Sequence, residues 1–296
     1  MKSNLNLLEE ESISIIRDTF PHGENPVVLY SIGKDSSVLL HLFKKAFYPL
    51  NIPCKIMHID TTWKFKEMID FRNKIKLKNN LNLVVHTNLE GVKNEVTPFN
   101  NDKYTDIMKT EALKEALTKH KFDMVYGGAR RDEEASRSKE RILSIRNKFH
   151  VWDPTNQRIE PWNIFNTFKT SQESFRVFPL SNWTELNIWQ YIKKEKIEIV
   201  PLYFSKKRKV VVRNDEIYLL DDKRFELKSS DIITEEYIRF RTLGCYPLTS
   251  GIRSKAKTVD GIIRELNNSN LSERSGRLID LDKEGSMELK KKEGYF

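Results

Sequence analysis

Residues 27–42 read VVLYSIGKDSSVLLHL, in which a short apolar strand pattern passes through one glycine into a helical pattern. The β-branched and aromatic residues of Val27–Tyr30 predict a buried strand, and apolar residues at helical spacing after Ser37 predict a helix. The first backbone N–H groups of a helix lack internal partners and carry the positive end of its dipole. The stretch therefore predicts an anion site, and phosphate is its natural ligand.

The turn between this strand and helix supplies the candidate ligand groups. Gly33 lets the backbone approach a ligand, Lys34 adds a mobile cation, and Ser36 or Ser37 is expected to cap the helix. The turn is not a Walker P-loop, which needs two glycines around four residues and then Lys-Ser or Lys-Thr, because Asp35 follows the lysine here. An ordinary turn is the plain alternative, since short motifs often occur by chance.

Composition narrows the classes of protein and ligand. The 296 residues carry 51 Lys and Arg against 42 Asp and Glu, a net charge of +9 that favours polyanionic ligands, although acids and bases alternate along most of the chain. No apolar stretch approaches the roughly 20 residues that span a bilayer, and the N-terminus lacks a signal peptide's apolar core, so we expect a cytoplasmic protein. Cys54 and Cys245 form no CxxC pair and the six histidines show no ligand spacing, so no transition-metal site is expected.

Strand and helix patterns alternate through the first two thirds of the chain. Strands are predicted at 27–30, 53–60, 81–86, 122–126 and 175–179, and helices at 4–19, 64–77, 105–119 and from an Asn182–Glu185 capping box onward. A long loop is predicted over 90–103. This alternation predicts right-handed βαβ units and an α/β fold with a doubly wound parallel sheet of about five strands.

The other candidate functional residues follow the predicted strands, where α/β sheets bind ligands. Asp60 is a candidate for accepting ribose hydroxyls or for holding Mg²⁺ through water, and a helix N-cap is the alternative. Gly127 and Gly128 allow a nucleotide to approach the backbone, and Arg130 and Arg131 offer planar guanidinium groups to phosphate or sulfate oxygens. The charged residues just beyond them also have the spacing of a salt-bridged surface helix.

The pattern changes after the predicted α/β domain, which we assign to 1–205. The C-terminal extension, 206–296, is predicted to hold a hairpin joined through Asn214–Asp215 and one short helix near 259–266. Its charged tail, 269–296, has few aliphatic side chains, so we expect the tail to be disordered or ordered by a partner.

Five segments together resemble the small, ATP-binding subunits of bacterial sulfate adenylyltransferase, which belong to the PP-loop ATP pyrophosphatases and have the adenine nucleotide alpha-hydrolase-like fold. They are Ser31–Ser36, Gly127–Glu134, Phe178–Glu185, Arg239–Thr249 and Gly285–Glu288. The first is similar to the pyrophosphate loop of that superfamily, in which Ile32 replaces the second glycine of the wider Ser-Gly-Gly pattern and should restrict the loop. The resemblance runs nearly end to end.

The resemblance implies transfer of AMP from ATP to sulfate, which gives adenylyl sulfate and pyrophosphate and begins sulfate activation and assimilation. The residues expected to bind the nucleotide are Ser31, Gly33, Asp35, Ser36, Asp60, Gly127 and Gly128, and those expected to be catalytic are Lys34, Arg130 and Arg131. ATP with Mg²⁺ and sulfate are the expected substrates. A GTPase large subunit is the expected partner, docked on the tail, and GTP is expected only there; no nucleic acid or membrane is expected as a partner.

Two other classes of function stay open at this point. Adenylyl-sulfate and phosphoadenylyl-sulfate reductases share the fold, and Cys245 would be the nucleophile, although those enzymes keep their catalytic cysteine near the C-terminus. An RNA-binding protein of tRNA thiolation would suit the positive charge, although that class usually carries CxxC pairs. Arg239–Thr249 is expected to fold back over the site, and the alternative is that it only joins the extension to the core.

Overall fold

The computed structural model describes residues 3–268, without the side chains of residues 135 and 136. The strands are β1 (Pro26–Leu29), β2 (Lys55–Ile59), β3 (Leu83–His86), β4 (Met124–Tyr126), β5 (Leu143–Arg146), β6 (Ser174–Val177), β7 (Lys206–Arg213), β8 (Glu216–Leu219), β9 (Ile233–Arg239) and β10 (Ile252–Arg253). The helices are α1 (Asn4–Thr19), α2 (Lys34–Phe47), α3 (Lys66–Lys78), α4 (Leu89–Lys93), α5 (Ala112–Lys119), α6 (Ala135–Ser138), α7 (Glu185–Glu195) and α8 (Val259–Asn267). A π-helical segment, Asp106–Glu111, leads into α5.

The larger sheet has six strands in the order β3-β2-β1-β4-β6-β5. All neighbouring pairs are parallel except β5 with β6, so the predicted doubly wound α/β fold is confirmed, while the expected five strands omit one antiparallel edge strand. Leu143–Arg146 lacks the apolar pattern of a buried strand, because Ser144 and Arg146 are polar yet buried. Side chains satisfy its outer N–H groups, since Glu160 accepts from Leu143 and Gln157 accepts from Ile145.

The two faces of this sheet bury different helices, because successive strand side chains point to opposite sides. Val28 faces the main core, which contains apolar residues of α1, α2 and α7, whereas Val27 faces Leu113 and Leu117 of α5. The helices predicted on either side of the sheet are therefore confirmed, and the carboxyl ends of β1, β2 and β4 are left to form a site.

Two local predictions are wrong. The capping box of α7 is made by Thr184 and Asn187, because the side chain of Asn182 instead accepts from Arg131. The stretch predicted as a loop contains α4, which Asn88 caps by accepting a hydrogen bond from the N–H of Gly91 at 2.8 Å.

The extension contains more structure than the hairpin and helix that the sequence predicts. Its four strands form an antiparallel sheet in the order β10-β9-β7-β8, which begins at Lys206. The predicted hairpin and α8 are confirmed, and Asn214 and Asp215 both have positive φ, as the favoured two-residue hairpin turn requires. The ring of Phe240 lies 4.8 Å from that of Phe65, so the extension shares the main core.

The predicted tail lies outside the described residues. Within residues 3–268, no helix has both the length and the apolar character needed to cross a membrane.

Candidate active site

The turn after β1 opens into a cavity of about 200 Å³ at the carboxyl edge of the sheet. Gly33 is the N-cap of α2, and the first helical hydrogen bond runs from the N–H of Ser37 to the carbonyl of Gly33 at 3.0 Å. The N–H groups of Lys34, Asp35 and Ser36 therefore precede the helical hydrogen bonding, and all three residues line the cavity. The predicted anion-binding geometry is present.

The serines of this turn do not cap the helix, contrary to expectation. The hydroxyls of Ser36 and Ser37 donate to the carbonyl of Gly33 at 3.0 and 2.9 Å, so they close the turn instead of accepting from its N–H groups. Ser31 donates to the hydroxyl of Ser36 at 3.2 Å and joins the two ends of the turn.

Ile32 occupies a conformation that favours glycine. Its φ is 69°, in the left-handed region that β-branched residues rarely adopt, and its side chain is fully buried in the main core. Such a conformation costs about 1–3 kcal/mol and persists only where the surroundings hold it. The buried side chain thus anchors the turn where a second glycine would leave it free.

Tyr203 contacts the turn from the end of the α/β region, and no sequence signal pointed to it. Its hydroxyl accepts a hydrogen bond from the N–H of Lys34 at 2.9 Å, and its ring packs edge-on against Trp189 at 5.5 Å between centroids. An oxygen atom therefore already occupies one of the donor positions that would bind a phosphate.

A chain of charges runs along the turn, in which Lys34 and Arg130 are buried and Asp35 is partly exposed. The Nζ of Lys34 lies 3.0 Å from Oδ2 of Asp35, whose Oδ1 accepts from Nε of Arg130 at 2.7 Å. Burial by itself raises the pKa of the Asp35 carboxyl, but the charges of Lys34 and Arg130 outweigh it and hold that pKa below its usual value. The Arg130 side chain is buried and does not line the cavity, so it holds the turn through Asp35.

The glycines after β4 have different roles. A Cβ on Gly128 would lie 3.1 Å from the carbonyl carbon of Asp35 and 3.2 Å from the backbone nitrogen of Ser36, so the glycine lets two backbone segments approach each other. Gly127 continues the sheet by donating its N–H to Val177 at 2.9 Å. Arg131 donates to Oδ1 of Asn182 at 2.7 Å and does not line the cavity.

The carboxylate of Asp60 makes hydrogen bonds within the protein and does not cap the following helix. Its Oδ1 accepts from the N–H of Thr62 and its Oδ2 from Nη1 of Arg72, both at 2.9 Å, while the N-cap of α3 is Phe65. Burial raises the pKa of the Asp60 carboxyl, but these hydrogen bonds outweigh burial and lower it overall. Asp60 does not line the cavity, so the structure does not support it as a magnesium ligand. Within residues 3–268, no group of three His, Cys, Asp or Glu side chains could hold a metal ion.

The cavity has an apolar wall and a cover. The wall consists of Leu29, Met57, Ile59 and Leu113, a surface suited to a flat ring such as a purine. Thr242 and Leu243 also line the cavity, which confirms that Arg239–Thr249 folds back over the site. Two lining residues that sequence reasoning missed, Lys64 and Lys109, carry no motif.

The cysteines do not form a redox pair at this site. Burial raises the pKa of the Cys54 thiol to about 12, and that residue precedes β2 at the opposite edge of the sheet. Cys245 is buried beyond the carboxyl edge, where its Sγ lies 3.5 Å from Oγ1 of Thr61. Burial raises the pKa of Cys245, but the charges of Lys64 and Lys109 together with hydrogen bonds to Thr61 and Tyr104 lower it overall.

His58 is held as a neutral imidazole on the cavity wall. Its Nδ1 lies 2.8 Å from the carbonyl of Tyr30, which can only accept, so Nδ1 carries the hydrogen. Burial, assisted by the charge of Lys64, lowers the pKa of His58 to about 3. His58 is therefore uncharged at neutral pH.

The charged run after Arg131 is not one surface helix. Glu133 lies in a short 3₁₀ turn that is separate from α6, and Arg137 is buried between Glu134 and Glu140 at 3.6 Å from each. Glu140 also pairs with the buried Arg146, so this run forms an internal ion-pair network beside the cavity.

Comparisons with known proteins identify the family of this chain and agree with its fold. The phosphoadenosine phosphosulfate reductase domain family matches residues 25–251. The sulfate adenylyltransferase subunit 2 of Akkermansia muciniphila is 57% identical over 296 residues, covering 99% of this chain and 98% of the relative. That of Rhizobium meliloti is 58% identical and covers 99% and 93%. The structure of FMN adenylyltransferase from Candida glabrata with FMN and an ATP analogue is 16% identical with a TM-score of 0.51, covers 95% of this chain and 88% of that one, and supports the fold alone.

Proposed function

The chain belongs to the sulfate adenylyltransferase subunit 2 family, within the phosphoadenosine phosphosulfate reductase domain family, and we propose that it transfers AMP from ATP to sulfate. One observation carries the proposal beyond family membership. The glycine-capped start of α2 opens into a cavity whose lining also includes an apolar surface, so a nucleotide could place its phosphates and its base on matching surfaces.

The leaving group is pyrophosphate, and the turn after β1 is its proposed binding site. The N–H groups of Asp35 and Ser36 and the ammonium group of Lys34 supply positive charge there. A sulfate oxygen attacks the α-phosphorus, the bond to the bridging oxygen breaks, and its electron pair leaves with pyrophosphate. Because sulfate is already a dianion, no general base is required, and catalysis consists of positioning and charge neutralisation.

Arg130 and Arg131 have revised roles in this proposal. Arg130 positions the turn through its ion pair with Asp35, and Arg131 joins the end of β4 to Asn182 at the start of α7. Neither side chain lines the cavity, so we do not assign either one to direct contact with sulfate.

Magnesium would come to this site with ATP and would neutralise part of the charge on its phosphates. The partners of Asp60 leave it unsuited to hold the ion, so no step of the reaction is assigned to a protein carboxylate bound to magnesium.

Net synthesis of adenylyl sulfate requires more than this active site. The phosphosulfate anhydride is very rich in energy, and positioning cannot change an equilibrium, so forward flux needs a drain or a second source of energy. The relatives are named as a second subunit, and we propose that a GTPase large subunit pairs with this chain and binds the GTP.

The test is sulfate-dependent exchange of labelled pyrophosphate into ATP, measured with the full chain and its partner subunit. Lys34→Ala should lower the exchange rate by about 10²–10³-fold, because it removes a cation aimed at the leaving group. Lys44→Ala changes an exposed lysine of the same helix and should leave the rate within about twofold. Full exchange in Lys34→Ala would contradict the assignment of the turn.

The reductase alternative is tested at Cys245. A reductase would lose turnover in Cys245→Ser, whereas an adenylyltransferase should keep most of its exchange activity. The burial of this thiol and its single distant companion in the sequence both favour the adenylyltransferase.

A further inference from the structure

Adenylyl transfer between two polyanions needs positive charge on both sides of the reacting phosphorus. The cationic side chains of the described residues that line the cavity are Lys34, Lys64, Lys109 and Arg137. Lys34 belongs to the pyrophosphate turn, and Arg137 lies between two glutamates. Lys64 and Lys109 line the cavity on two further segments, outside the pyrophosphate turn and outside the network of Arg137.

The strand order places these lysines at the other end of the cavity. The pyrophosphate turn follows β1 and contacts Gly128 beyond β4. Lys64 follows β2, and Lys109 precedes α5, which packs against β3. Since the order is β3-β2-β1-β4 and neighbouring strands lie about 4.8 Å apart, the cavity extends from the turn towards the two lysines.

A direct contact ties the two lysine-bearing segments together. The hydroxyl of Tyr104, just before the π-helical segment that carries Lys109, donates to the carbonyl of Thr61 at 2.8 Å, three residues before Lys64. π-helical turns are rare and are frequent at functional sites, which is a separate reason to look for a role here.

The positive charges of these lysines change the pKa values of neighbouring groups. The side chain of Lys64 makes no ion pair or hydrogen bond with residues 3–268. Burial raises the pKa of Cys245, but the charges of Lys64 and Lys109, with hydrogen bonds to Thr61 and Tyr104, lower it overall, and Lys64 adds to burial in lowering the pKa of His58. The charge of Lys64 therefore acts on groups on both sides of this end of the cavity.

We propose that Lys64 and Lys109 form the subsite that binds the acceptor, a tetrahedral dianionic oxyanion such as sulfate. This inference rests on the proposed function. Ammonium groups bind oxyanions through charge-assisted hydrogen bonds. A sulfate held at this end lies across the cavity from the pyrophosphate turn, so that its oxygen approaches the α-phosphorus opposite the departing pyrophosphate, as an in-line displacement requires.

The experiment compares Lys64→Gln and Lys109→Gln with the wild-type chain, each with the partner subunit, in the pyrophosphate exchange assay. KM is measured separately for sulfate and for ATP. Lys66→Gln, an exposed lysine two residues beyond Lys64, is the matched control. Lys64→Arg retains the charge and tests whether any loss comes from charge or from folding.

We expect KM for sulfate to rise about tenfold or more in each glutamine variant, a tenfold change being about 1.4 kcal/mol, with KM for ATP within about twofold. Lys64→Arg should stay within about threefold of the wild type, and Lys66→Gln within about twofold. As a readout independent of turnover, sulfate should raise the melting temperature of the wild type, in the presence of an α,β-methylene ATP analogue, more than that of Lys64→Gln.

Two results would overturn the inference while the proposed function stands. Wild-type exchange with unchanged KM for sulfate in both glutamine variants would exclude the subsite, and a rise in KM for ATP alone would assign these lysines to the nucleotide phosphates. Absence of sulfate-dependent exchange in the wild type would instead contradict the proposed function, and this inference with it.

Discussion

Replacing Tyr203 by phenylalanine tests how the pyrophosphate turn is held. The hydroxyl accepts a hydrogen bond from the N–H of Lys34 at 2.9 Å, and the tyrosine is 1% exposed. Tyr203→Phe removes this acceptor but keeps the ring and its edge contact with Trp189. Depriving a buried donor of its acceptor costs about 1–3 kcal/mol.

The expected change in melting temperature follows from chain length. A domain of 150–250 residues loses about 2–4 °C per kcal/mol, and this longer chain should lie near the lower value, so Tyr203→Phe should melt about 2–6 °C below the wild type. Differential scanning calorimetry measures the change. Tyr237→Phe, which alters a half-exposed tyrosine of β9, is the control and should shift the melting temperature by about 1 °C or less.

Pyrophosphate gives the second measurement of the same variant. If a phosphate oxygen binds the N–H of Lys34, it replaces the lost acceptor in Tyr203→Phe, whereas in the wild type it must displace the hydroxyl. Saturating pyrophosphate should therefore raise the melting temperature of the variant more than that of the wild type. Equal stability of the two proteins, or equal shifts with pyrophosphate, would refute the reasoning.

Two further predictions concern the walls of the site. Gly128→Ala should lower the free energy of unfolding by about 1–3 kcal/mol, measured by urea unfolding, and lower the exchange rate by about tenfold or more, because its Cβ would press on the backbone of Asp35 and Ser36. An alanine variant with wild-type exchange would show that this close approach is not required. His58→Asn keeps a donor to the carbonyl of Tyr30 but does not titrate. Because the pKa of His58 is about 3 in the folded chain against about 6.5 when unfolded, wild-type stability should fall by about 2 kcal/mol more than that of the variant from pH 6.5 to 5, and parallel pH profiles would contradict this.

The pKa direction sets the sign of the histidine prediction. Between pH 6.5 and about 3 the unfolded chain binds a proton that folded His58 does not, so stability rises with pH across this window and gains nothing further above it. His58→Asn, which removes this titration, should therefore increase stability relative to the wild type only at acidic pH.

The extension contributes to the site as well as to the fold. Thr242 and Leu243 cover the cavity, and Tyr203 lies directly before the second sheet. A subunit that bound the extension would therefore be linked to the pyrophosphate turn through a few packed residues.

The sequence alone determined the parallel α/β core, because strand and helix periodicities are local and because candidate ligand residues directly follow β1, β2 and β4. It also located the pyrophosphate turn, since Gly33, Lys34 and the start of α2 are adjacent in the chain. The antiparallel edge strand escaped prediction because its polar residues are buried through pairings that local pattern does not show.

Only the tertiary structure decided which side chains share the cavity. Tyr203 meets Lys34 across 169 positions of sequence, while Arg131, which the sequence predicted to be catalytic, instead donates to Asn182. Lys64 and Lys109 carry no motif and come together only because the strands place them at one edge. Chemistry that depends on neighbouring residues can be inferred from sequence, but chemistry assembled by packing between distant segments requires the folded chain.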